Sequence, residues 1–238
     1  MQAQTLTPEA QPCATVAGGK PRLDFYAGIH KALRLFLTRT LTRVGSTDPA
    51  DAGELAAALQ QVERLLAACA LHLHDENQFI HPALERAQAG SAARIGAEHV
   101  HHEEAIADLR DLAALVAHSA APARAAALDR LYQALALFVA DNLQHMHVEQ
   151  TAHNAVLWAA YSDEQLMAIE QQIVASIPPQ AMAELLGWFM PALNAPERAG
   201  MLAGMRQDMP LQAFAGVLAI AEQTLAPADY RKLRCDLQ

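Results

Sequence analysis

Apolar side chains return every three or four positions through most of this chain, the period of an α-helix that buries one stripe. In PRLDFYAGIHKALRLFLTRTL, Phe25, Ile29, Leu33 and Phe36 share a side, which predicts a first helix from about residue 23 to 41, with Pro21 just outside it. Asp48, Pro49, Ala50 and Asp51 are of the types that open a helix, and a second one continues from there through GELAAALQQVERLLAACALHLHDENQFIHPALERA. Pro82 falls late in that stretch, where it either kinks the helix or begins its last turns. A turn around Gly90 precedes a third helix from Ala92 to about His118. After a break at Ser119–Pro122, a fourth runs from about Ala123 to Trp158 or beyond. Four long helices with short connections predict an all-α, up-down-up-down four-helix bundle over residues 21–160. Beyond Tyr161 the periodic segments shorten to four or five amphipathic helices separated by Pro and Asn. The first of these is opened by Ser162 as cap with Glu164 nearby. Residues 161–238 are therefore expected to form a smaller helical extension, and residues 1–20 a flexible tail.

The pattern of the fourth helix contains an anomaly. Leu131, Leu135 and Phe138 occupy its core positions, and the same spacing then reaches Asn142, His145, Glu149 and Ala152. Burying a histidine and a glutamate without partners costs several kcal/mol. A metal ion that accepts both removes the difficulty. The four-residue His–Glu step occurs three times: His72 and Glu76, His99 and Glu103, His145 and Glu149. At i and i+4 the two side chains leave one helix face a turn apart. His30 adds a donor from the first helix. Four histidines and three carboxylates suit two octahedral ions that share bridging carboxylates and keep one position open. Nitrogen and oxygen donors without thiolate fit iron or manganese better than a structural zinc site. The arms from Glu76 and from His99 to the turn between them differ by only roughly 6 Å at 1.5 Å per residue. The arm from Glu103 to the next break is shorter than the arm from there to His145 by roughly 12 Å, a mismatch in the predicted set.

These motifs resemble hemerythrin and the bacterial hemerythrin-like HHE cation-binding domains, over roughly residues 20–160. The resemblance implies one His from the first helix, as His30 in GIHKALR. It implies His and Glu four apart from the second, followed by a Pro, as HLHDE and Pro82. One or two ligands come from the third helix, and a His and a carboxylate from the fourth. His81 stands where the family usually has an apolar residue. Oxygen carriers use a second His where this chain has Glu103, and they space the last pair five apart with Asp, whereas His145 and Glu149 are four apart. Both departures point away from simple dioxygen carriage and towards the hemerythrin-like domains of iron and oxygen sensing.

Other groups are read from their positions. Tyr26 precedes His30 by one turn and His153 follows Glu149 by one turn, so both are expected to line the site, with a half-buried packing tyrosine as the plainer reading of Tyr26. Glu98 is placed to hydrogen-bond a neighbouring ring. His74, His101, His102 and His147 are expected to point elsewhere around their helices. The Met and aromatic side chains of the extension read as helical core.

Composition narrows the partners. The chain carries 17 Lys and Arg against 26 Asp and Glu, a formal charge of −9, which argues against nucleic acid. No apolar run approaches a bilayer span. The first residues lack the basic start and apolar core of a signal peptide. The three cysteines are scattered, so a cytoplasmic setting is expected. The functional expectation is a non-haem protein with two iron ions, with manganese or zinc as substitutes. It would bind or react with dioxygen, nitric oxide or peroxide in sensing, iron and oxygen handling or stress response. Two other readings stay open: a di-iron redox enzyme of peroxidase or oxidase type, and a metal-stabilised interaction module. A homodimer or protein partner would dock through the C-terminal helices.

Overall fold

A computed structural model describes residues 22–238, so the predicted tail over residues 1–20 lies outside the described residues. The described chain is helical throughout. Helix α1 (Phe25–Ser46) opens on Asp24, whose carboxylate accepts from the amides of Tyr26 and Ala27. Helix α2 (Ala52–Asp75) opens on Asp51 in the same way, an arrangement that satisfies amides left over at a helix start. α2 does not end at Asp75. It widens into one π-helical turn (Glu76–Ile80) and resumes as α3 (His81–Ala87), with Pro82 in the first turn. Gly90, with φ +82°, makes the reversal, and the carboxylate of Glu85 accepts from the amides of Gly90 and Ala92. Helix α4 (Ala93–His118) follows, then α5 (Ala121–Val148), which begins slightly earlier than the periodicity predicts. α5 passes through a second π-helical turn (Glu149–His153) into α6 (Asn154–Ala160).

α1 packs on α2 and α5, and α4 packs on the same two helices, which closes the four-helix ring of an all-α bundle. Its interior is aliphatic away from the histidines: Leu37, Leu65, Leu66, Leu131 and Leu135 are fully buried. Five shorter helices follow: α7 (Asp163–Ser176), α8 (Pro179–Ala192), α9 (Ala195–Asp208), α10 (Leu211–Thr224) and α11 (Pro227–Asp236). Ser162 caps α7 as expected, but its reciprocal partner is Gln165 rather than Glu164. Asn194 and Glu197 form the same box at α9.

The extension has an apolar core of its own around Met190, Leu202, Phe214 and Val217, in keeping with the reading of its Met and aromatic content. It is not independent of the bundle. α8 lies along α1, Leu185 enters the bundle core, and Trp188 stacks on Phe36 with ring centroids 3.9 Å apart and planes 16° from parallel. Among the described residues, no helix is long and apolar enough to cross a membrane.

Leu131→Ala removes a fully buried side chain from the middle of the bundle and should lower unfolding stability by about 2–5 kcal/mol. Leu137→Ala, on the exposed side of the same helix with 70 % of its surface accessible, should stay within about 0.5 kcal/mol of the parent. Urea unfolding followed by circular dichroism measures both.

Candidate metal centre

Six of the seven predicted ligands meet in the dry middle of the bundle. α1 contributes His30, α2 His72, the first π turn Glu76, α4 His99, α5 His145 and the second π turn Glu149. His30, Glu76, His99, His145 and Glu149 are all at most 3 % exposed. The two carboxylates lie between two histidine pairs. Glu76 turns Oε1 towards His72 Nε2 at 3.3 Å and His30 Nε2 at 4.0 Å, and Oε2 towards His99 Nε2 at 3.4 Å. Glu149 turns Oε2 towards His30 Nε2 at 3.4 Å, and Oε1 towards His145 Nε2 at 3.2 Å and His99 Nε2 at 3.7 Å. Each carboxylate thus offers one oxygen to each pair. The result is two four-donor clusters, His30–His72–Glu76–Glu149 and Glu76–His99–His145–Glu149, with both carboxylates common to the two.

These separations fit metal ions. Two atoms bound side by side to one ion at ~2.1 Å lie ~3.0 Å apart, and two bound opposite each other ~4.2 Å apart. The hydrogen-bond inventory points the same way. Both oxygens of Glu76, both oxygens of Glu149, both ring nitrogens of His30 and Nε2 of His72 are buried without a hydrogen-bond partner among the described residues. Groups that have lost water and gained nothing are costly, and here the carboxylate oxygens and the Nε2 atoms face one another.

The outer nitrogens of the second histidine pair are held. His145 Nδ1 lies 3.0 Å from Glu98 Oε2, the contact expected for Glu98. A carboxylate only accepts, so Nδ1 carries the proton and Nε2 presents its lone pair inward. His99 Nδ1 lies 2.8 Å from Asn77 Oδ1, which fixes the same tautomer. The two Nε2 atoms then face each other at 3.1 Å, an arrangement that requires a cation or a proton between them. Such outer hydrogen bonds orient ligand histidines in metal sites and raise their basicity.

The structure does not bring Glu103 to these clusters. Its side chain is exposed and it belongs to neither cluster. The buried face of α4 runs Ile95, His99, His102, Ile106 and Leu109, and Glu103 falls beside it. The length mismatch has the same origin: His145 on α5 stands level with Glu98 and His99, so Glu103 lies a turn too close to the α4–α5 connection. His102, expected to point elsewhere, is instead buried, its ring 4.7 Å from that of His145. His74, His101 and His147 are exposed, as expected.

His81 is the residue that helical periodicity misses. It lies five positions after Glu76, and the π turn hydrogen-bonds its amide to the Glu76 carbonyl, bringing i+5 beneath i. The His81 ring stacks on His99 with centroids 4.7 Å apart, and it forms a third cluster with Glu149 and His153. His153, expected at the site, is buried there. Tyr26 is fully buried and its hydroxyl lies 3.2 Å from His153 Nδ1. Burial, then the charges of Glu76 and Glu149, push the Tyr26 phenol well above its ordinary range, so it keeps its proton and shares a hydrogen bond with His153.

In the metal-free state protons take the place of ions. Burial, then the charge of Glu149, raises Glu76 well above the carboxylate range. Burial also acts to raise Glu149, but the neighbouring His145 and His99 rings outweigh it and hold Glu149 well below that range. Two carboxylates this close separate into one protonated and one ionised group. Burial pushes His72, His81 and His102 down to about 4 and lowers His30 and His153. His145 moves the other way: burial opposes its charge, but Glu149 and Glu98 raise it.

The sequence pattern of the hemerythrin HHE cation-binding domain matches residues 23–152, the bundle and nearly all of the second π turn. Neither the curated proteins nor the solved structures compared with the chain give a match. A match over more than half of the chain, with His and Glu donors from all four helices gathered into two carboxylate-sharing clusters, places this protein in the hemerythrin HHE family, with additional C-terminal helices after the matched domain.

Proposed function

We propose that this protein is a non-haem di-iron protein whose centre takes up a small ligand (dioxygen, nitric oxide or peroxide) in sensing or in iron and oxygen handling. The observation that carries the reading is the pair of buried carboxylates, Glu76 and Glu149, each directing one oxygen to each of two histidine pairs and having no hydrogen-bond partner of its own. His30 and His72 would hold one ion and His99 and His145 the other. Donors of this kind, without a thiolate, favour iron or manganese. Bound iron would supply the electrons and the open coordination position.

The chain's own groups shape what reaches that position. The bundle restricts the access of bulk water to it. His81 and His153 stand against Glu149 on the side where the His99 ring is stacked. Their buried imidazoles, which burial keeps neutral, line the space beside Glu149. Tyr26 holds His153 in place through the hydrogen bond between its phenol and Nδ1, and burial keeps that phenol neutral.

Anaerobic addition of ferrous iron to chelator-treated protein should load about two irons per chain, and admission of air should produce charge-transfer absorption. A chain that takes up no iron overturns the reading. Glu149→Ala should abolish binding of both irons, and Glu103→Ala should retain both, as read by metal analysis.

Glu98→Ala frees the His145 ring and should weaken iron at the His99–His145 position roughly 10–100-fold, in competition with a calibrated chelator, while the His30–His72 position changes little.

The histidine shifts give a pH dependence for the metal-free protein. The unfolded chain takes up protons on His72, His81 and His102 near their ordinary 6.5, whereas the folded chain resists until about 4. Their contribution is present in full above about pH 6.5 and is lost as pH falls towards 4. His30 and His153 have the same sign. His145 has the opposite sign, its contribution fading as pH rises through its raised value, and Glu76 and Glu149 are displaced in opposing directions. The thermal midpoint of chelator-treated protein should therefore drop steeply between pH 6.5 and 4.5, and a flat profile across that window would contradict the assignment of neutral buried histidines.

A further inference from the structure

The extension does not close completely against the bundle. A cavity of about 620 Å³ remains, walled by α1 and α2 on one side and α7, α8 and α9 on the other. That volume is within the range of small-molecule sites, about 300–1,000 Å³. Ile29, Leu71, Ile173, Met182, Phe189 and Met201 line it, a surface of aliphatic, thioether and aromatic groups that offers few hydrogen bonds. His72 and Glu76 also belong to its wall, so the cavity ends against the metal centre. The His72 side chain keeps 12 % of its surface accessible, against 2 % for Glu76.

The charge of the wall selects among apolar occupants. Asp24, Asp75, Glu170 and Glu197 line it besides Glu76, and among the described residues no Lys or Arg does. Asp24 is engaged in capping α1, and Glu197 is engaged by Lys31 and the amide of Asn194. Asp75 meets the Ser176 hydroxyl at 3.5 Å and feels the charge of His74. Glu170 lies opposite on α7, and burial raises its carboxyl above the ordinary range. An amphiphile with a carboxylate, phosphate or sulfonate head would meet the Asp75 and Glu170 carboxyls, with no Lys or Arg lining the cavity among the described residues. A head that donates hydrogen bonds would meet acceptors.

We propose that this cavity binds an apolar organic molecule with a neutral or amino, hydrogen-bond-donating head, held between bundle and extension with one end against His72. The consequence for the metals rests on the function proposed above; the binding itself does not. N-phenyl-1-naphthylamine and 1-anilinonaphthalene-8-sulfonate share one ring skeleton and differ by the sulfonate, so they are the probes. With the full chain, metal-free and iron-loaded, the amine should bind saturably at one per chain, and the sulfonate about tenfold more weakly or worse. Gly200 lines the cavity and has open space around a Cβ built on it. Gly200→Leu and Val174→Trp, the second at a lining position on α7, should each weaken the amine about fivefold or more, with helicity and iron content unchanged. Glu170→Lys should narrow or reverse the preference between the probes. In the iron-loaded protein, saturation with the amine should shift the charge-transfer absorption. Absence of saturable amine binding, equal affinity for both probes, or amine affinity untouched by both filling variants overturns the proposal. An unchanged iron spectrum at saturation overturns its placement against His72. Amine binding that persists in a chain unable to load iron counts against the metal reading and leaves the cavity assignment standing.

Discussion

Two carboxylates in a dry interior govern this structure. Glu76 and Glu149 are at most 1 % exposed, and neither oxygen pair has a hydrogen-bond donor among the described residues. A bundle of this size has abundant leucine and alanine for an unbroken apolar core, and most of its length is filled that way. At one level it is not, and everything at that level answers to the charge of the two glutamates. Four imidazole Nε2 atoms face them, Glu98 and Asn77 hold two of those imidazoles from outside, and Tyr26 and His153 fill the remaining polar space. Breaking a buried charge set by removing one partner is far more damaging than never having built it. The layer is therefore an all-or-nothing arrangement, with ions or protons as its only neutralisers.

Much of this was legible in the chain because helical periodicity and metal chemistry coincide there. The four bundle helices follow from apolar spacing, and Asp51, Ser162 and Gly90 mark starts and turns through short-range chemistry that tertiary packing did not override. His72–Glu76 and His145–Glu149 stand out because a charged pair interrupts a buried stripe. His99–Glu103 has the same spacing but a different outcome. A single motif does not state which way the buried face drifts along a helix, and on α4 it drifts towards His102. The relative lengths of the helical arms already carried that information, since Glu103 could not reach the level of His145.

His81 was illegible for a different reason. In an α-helix the fifth residue after Glu76 points well away from it. Only a wider turn brings the two together, and no local propensity announces that turn. The extension's relation to the bundle was likewise hidden. The stripe of Leu185, Trp188 and Phe189 reads as core, but whether it closes on its own helices or on Phe36 of α1 depends on a contact about 150 residues away in sequence. The cavity beside His72 is a product of that docking and has no signature in either segment alone.

The two π turns begin on the two shared glutamates, Glu76 and Glu149. Each amounts to one surplus residue absorbed without breaking its rod. Excising it would restore ordinary winding, but would rotate the remainder of that rod by roughly 100° about its axis. Leu84 and Leu157 would then swing out of the hydrophobic end layer in which both are buried, and His81 and His153 would leave with them. The wide turn thus acts as a phase adjuster, allowing one continuous helix to serve a chelating layer and an oily layer whose angular demands differ.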